Sequence, residues 1–72
     1  MVVNEQQILF EELAFWDEII VNYPTYRDAY LEKARVAYSL GDRKLARDAV
    51  HEAYEIDPNS ERVAQAMKKF GL

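Results

Sequence analysis

A chain of 72 residues allows one domain with a small core. It has no cysteine, which removes disulfides and thiolate metal sites as sources of support. A formal charge of −4 argues against nucleic acid as the main partner. The charge is also unevenly placed. Glu5, Glu11, Glu12, Asp17 and Glu18 stand ahead of Pro24 with no Lys or Arg among them, whereas Arg62, Lys68 and Lys69 outnumber Glu61 near the other end.

The first predicted helix covers about 5–22. Ile8, Leu9, Leu13, Phe15, Trp16, Ile19 and Ile20 recur at helical spacing on one broad arc. Asn4 is its expected cap, and the early acids suit the positive end of the helix dipole. Phe10, Ala14 and Val21 fall on a second, narrower face. Either that face has a neighbour of its own, or its residues are half-exposed singly. No apolar run is long enough to span a bilayer; Ile19-Ile20-Val21 is typical of the short ones present. No basic residue precedes the first apolar stretch, which argues against a secretion signal. A cytoplasmic location is the default expectation, with an extracellular one open if a leader has been removed.

Tyr23-Pro24 should end this helix, because the residue before proline is pushed out of helical geometry. Thr25 with Asp28 three positions on reads as the next cap. A second helix follows over about 26–40, with Tyr26, Tyr30, Ala34, Ala37 and Leu40 inward and Lys33 intruding. Gly41-Asp42 marks a tight turn: glycine in a left-handed conformation closes one helix and Asp42 caps the next. The third helix, about 43–56, turns Leu45, Ala46, Ala49, Val50, Ala53 and Ile56 inward, and the small residues permit close approach of the backbones. Asp57-Pro58-Asn59-Ser60 breaks and caps the chain again. A fourth helix over about 60–70 carries Val63, Ala64, Met67 and Phe70 on one face, closed by Gly71. Short connections make sequential antiparallel packing the economical topology.

Pro24 and Pro58 are separated by one period of a known class of helical repeat, about 34 residues. With that period, with Ala29-Tyr30, Gly41-Asp42, Ala46 and Ala53 at their positions, and with the ending Ala53-Tyr54-Glu55-Ile56-Asp57-Pro58-Asn59, the chain resembles the tetratricopeptide repeat family over about 25–58. The resemblance implies an all-α fold of antiparallel hairpins: one full repeat, half a repeat on either side, together a short right-handed solenoid segment. Departures are Lys33 for a usual leucine, Ala37 for tyrosine, Val50 for an aromatic, and Glu12 where a small residue belongs. Either Glu12 and Lys33 meet between the first two helices, or each snorkels to water. By the same resemblance the first helix of a hairpin lines a concave groove, placing Asp28, Leu31, Glu32, Arg35, Tyr38 and Ser39 toward a ligand. The family's clamp for C-terminal carboxylates uses Lys and Asn at such positions, and only Arg35 here is cationic.

Catalytic chemistry finds few materials. Ser39 and Ser60 have no base at a suggestive spacing, and Glu11-Glu12 and Asp17-Glu18 are neighbours pointing about 100° apart on a helix. His51 and Glu55, one turn apart, read as surface rather than as a metal pair. Arg43, Lys44 and Arg47 are interleaved with Asp42, Asp48 and Glu52, a mixed solvated face. The expectation is a non-enzymatic protein-interaction scaffold with no cofactor, membrane, nucleic-acid or small-molecule ligand. Repeat units of this kind gain stability by stacking. The predicted partner is therefore the protein itself, through a face comprising Phe10, Ala14, Val21, Val63, Met67 and Phe70, with a head-to-tail stack favoured by the acidic first and basic last helices. The competing expectation is a monomeric or dimeric adaptor that holds another protein's peptide or helix in the groove.

Overall fold

The computed structural model describes residues 4–70 and contains four helices in chain order: α1 (Glu5–Asn22), α2 (Arg27–Ser39), α3 (Arg43–Ile56) and α4 (Glu61–Lys69). Packing is sequential, α1 on α2, α2 on α3 and α3 on α4. The pair α2–α3 is antiparallel, since Leu31 packs near Ala53 while Ala34, further along α2, meets Ala49 and Val50. The body is a slab of 44 × 28 × 17 Å. Its radius of gyration, 12.2 Å, exceeds the roughly 11 Å of a typical globule of this length.

Local chemistry sets most helix ends. Asn4 accepts from the Gln7 amide at 3.1 Å, Asp42 from Leu45 at 3.0 Å, and Ser60 from Val63 at 3.3 Å. Each side chain satisfies one of the amides that a helix start leaves without a partner. Gly41 adopts φ +85°, the left-handed geometry that closes α2. Thr25, expected as a cap, is not one. The Tyr26 amide donates to the Tyr23 carbonyl at 3.0 Å, so Thr25 lies within the turn and Tyr26 takes the cap position with no side-chain bond.

The two corners repeat each other. The Tyr23 amide donates to Ile19 and the Asp57 amide to Ala53; Tyr26 donates to Tyr23 and Ser60 to Asp57. Asn22 and Ile56, which end α1 and α3, are separated by the same interval as Arg27 and Glu61, which open α2 and α4. Pro24 and Pro58 share that interval too. The chain is thus two helix–corner–helix units joined through Gly41.

The core centres on α2. Ala29, Leu31, Ala34, Val36 and Ala37 are buried there; Leu31 packs with Ala53 of α3 and Val63 of α4, and Ala34 with Ala49 and Val50 of α3. Tyr26 is exposed and Tyr30 and Leu40 half-buried, which differs from the predicted inner face. A helix with neighbours on two sides buries residues around more of its circumference than a single stripe allows. In α4, Ala66 packs inward and Ala64 is exposed. Gly71 lies outside the described residues.

The intruders Glu12 and Lys33 both find partners across the α1–α2 contact, but not each other. Glu12 receives Arg35 at 2.8 Å and Lys33 reaches Asp17 at 2.7 Å. The phase between the helices brings each intruder beside a different group of opposite charge, and each takes that nearer partner.

Candidate interaction surfaces

Of the six residues predicted to line a groove, Leu31, Glu32 and Arg35 share one hollow and Ser39 lines another. Leu31 is 8% exposed and packs with Ala53 and Val63, so most of its side chain belongs to the core and little of it to that hollow. The reason is α4: its docking covers the side of α2 on which Leu31 lies. Glu32 and Arg35 edge a shallow hollow of about 190 Å³ between α2 and α4, whose other wall carries Arg62, Lys69 and Phe70. Asp28 is held by Arg27 and Arg62, each at 3.0 Å. Tyr38 lies 4.9 Å from Phe70, ring to ring, with the Arg43 guanidinium 5.8 Å from its centroid. Ser39 sits apart, in a separate hollow with Asn4, Gln6 and Leu9 of the α1 start.

Electrostatics limit what the α2–α4 hollow can hold. Arg35 donates to Glu12 at 2.8 Å and to Glu32 at 3.0 Å, and these bonds, Glu12 first, raise its pKa further. Arg62 is paired with Asp28. Of the bases on this rim, only Lys69 lacks a carboxylate partner among the described residues; its ammonium lies 5.9 Å from the Phe70 ring centroid. Three bases against Glu12, Asp28 and Glu32 leave the rim close to neutral, a poor anion trap.

Arg27 was not singled out by sequence, yet it ties the α3–α4 corner to the start of α2. It donates to Asp57 at 2.8 Å and to the Ser60 hydroxyl at 3.1 Å, besides Asp28. Its pKa is raised, first by the bond to Asp28 and then by that to Asp57. No local signal could reveal contacts so distant along the chain; only the repeat length hints at them.

The predicted self-association face divides in two. On α1 it is free: Phe10 is 55% and Val21 79% exposed, and Ala14 is exposed beside a hollow shared with Phe10 and Glu11. On α4 it is occupied. Val63 is 1% exposed, and Met67 and Phe70 pack half-buried against Ala34, Ala49 and Val50. Those residues anchor α4 to its own chain.

Helix α1 carries a second exposed strip that the sequence reading turned inward. Phe15 is 53% exposed and Ile8 is exposed, with Ile19 half-buried beside them. Phe15 rests edge-on against Trp16 at 5.0 Å. The strips lie about 140° apart around the helix, separated by Gln7, Glu11 and Glu18. Among the described residues these two glutamates make no ion pair. Not one residue of α1 is buried.

Among the described residues no cluster of three His, Cys, Asp or Glu could hold a metal ion. His51 and Glu55 stand 3.6 Å apart, both exposed. No described helix is long and apolar enough to cross a membrane. The chain matches no protein-family model, no curated protein and no solved structure.

Proposed function

We propose that this protein is a non-catalytic interaction scaffold, a tetratricopeptide-like solenoid segment that self-associates head to tail through α1 and α4. The observation that carries the reading is α1: a helix with no buried residue and four large apolar side chains, Ile8, Phe10, Phe15 and Val21, exposed. A monomer gains nothing by holding that surface in water, and covering it recovers about 25 cal/mol per Å² of apolar area. Charge favours α4 of another copy as the cover. The outer side of α1 carries Glu11 and Glu18 with no base on the helix, and α4 ends in Lys68 and Lys69. Two α1 helices face to face would instead bring acids together.

A head-to-tail contact joins two different surfaces, so it does not terminate at two copies unless a ring closes. Light scattering over a concentration series tests the proposal: average mass should keep rising, or settle at a closed ring. A mass that stays at one copy up to millimolar protein would overturn it and leave the adaptor reading, in which α1 or the α2–α4 hollow receives another protein.

A further inference from the structure

The repeat offset inside the chain specifies how such a contact would be made. The contact α1–α2 is repeated by α3–α4 through an equivalent corner. The contact α2–α3 has no second instance within one copy. Its counterpart requires a helix in the position of α3 beside α4, and α1 of a second copy carries the matching register. We infer that α4 of one copy docks on α1 of the next in the register that α2 keeps with α3, and that Lys68 is the central residue of the junction. The inference rests on the self-association proposed above.

Register assigns the partners. Ala34 of α2 meets Ala49 of α3 in the core. One repeat along the chain, Ala34 corresponds to Lys68; one repeat back, Ala49 corresponds to Phe15. Likewise Leu31 against Ala53 becomes Gln65 against Ile19. The α1 flank that enters the junction is therefore the one carrying Phe15 and Ile19. Phe10, Ala14 and Val21 correspond to Lys44, Asp48 and Glu55, which α3 turns to water and pairs along its own surface. The strip of Phe10, Ala14 and Val21 thus stays outside this junction.

The chemistry at the junction differs from the covalent hairpin. Alanine against alanine allows helix axes at the short end of the range of about 8–10 Å, whereas lysine against phenylalanine demands the long end. The Lys68 stem then covers the Phe15 ring, a favourable arrangement for an ammonium near an aromatic face. In the antiparallel register the last turn of α4 lies beside the middle of α1, with Lys68 at Phe15. The ammonium of Lys68 therefore reaches Glu11, one turn before Phe15.

Charge reversal provides the test, because Glu11 and Lys68 are exposed and without ion partners among the described residues, so neither change threatens the fold. Circular dichroism would confirm retained helix content, and sedimentation velocity would read assembly. Lys68→Glu alone and Glu11→Lys alone should each weaken association by about tenfold or more, from like charges set opposite one another. An equimolar mixture of the two variants should recover association in part, because a reversed head then meets a reversed tail with opposite charges again facing. Phe15→Lys should weaken association and Phe10→Lys should leave it intact. If both reversals assemble like the wild type while Phe10→Lys does not, the copies join through the other strip and the register is overturned, with self-association left standing. A wild-type protein that stays monomeric removes both.

Discussion

Replacing Val63 by alanine separates two roles for the inner face of α4. In the structure that side chain is 1% exposed and packs with Leu31 and Ala53, beside Tyr30, Ala66 and Met67. Deleting two methyl groups forfeits about 1.6 kcal/mol of transfer free energy at roughly 0.8 kcal/mol per group. A void of about 40 Å³ that failed to collapse would add about 1 kcal/mol at ~24 cal/mol per Å³. The expected loss is therefore about 1.6–2.6 kcal/mol, from a total of about 4–11 kcal/mol for a domain of this length. Urea unfolding followed by circular dichroism reads the loss as a lower midpoint at unchanged slope. Thermal unfolding should shift down by roughly 10–20 °C. Because α4 has only nine residues, too few to persist as an isolated helix, its amides should lose exchange protection before those of α2. A Val63→Ala protein within about 0.5 kcal/mol of the wild type, yet defective in assembly, would refute this argument. It would mean that Val63 serves a second copy rather than its own core.

Three further outcomes follow from local geometry. Gly41→Ala meets no atom within 4 Å of the added methyl, so only the left-handed backbone opposes it. The expected cost is about 1–2 kcal/mol in urea unfolding, partly relieved by Gly41→Asn. Arg35→Met breaks the bonds to Glu12 and Glu32, but these groups are about a third or more exposed. The loss should stay within about 1 kcal/mol and shrink in molar salt, and a larger, salt-independent loss would contradict the partial exposure seen here. The Lys44 ammonium, 2.9 Å from Asp48, lowers that carboxyl's pKa through their hydrogen bond. A lowered folded-state value stabilises the fold above the unfolded pKa, and the contribution fades as pH falls through the folded one. Side-chain NMR titration should find the Asp48 midpoint below the usual carboxylate range and moving back up in Lys44→Met.

Helix positions were legible in the sequence because their causes are local. Asn4, Asp42 and Ser60 each bond an amide three positions along, and Gly41 supplies a backbone conformation that other residues resist. The boundaries consequently lie close to expectation at both ends of every helix. Thr25 failed for an equally local reason, since the Tyr23-to-Tyr26 hydrogen bond consumes the position it was assigned. On α3, the alanines at 46, 49 and 53 carry their own facing information, because small residues on one stripe mark where another backbone comes close.

The candidate surfaces were less legible, and the difference lies in what each prediction required. A sequence records which groups share a helix face, and so by itself it determined four helices, the equal spacing of the two corners and the opposite charges of the two ends. It does not contain the rotation of one helix about its axis relative to the next. That angle decided that Glu12 bonds Arg35 while Lys33 bonds Asp17, that Leu31 and Val63 are core rather than contact surface, and that Phe15 faces water. Such choices are made by non-local packing, where the free energy of fitting α1 against α2, and α4 over α2 and α3, outweighs any preference visible along a single helix.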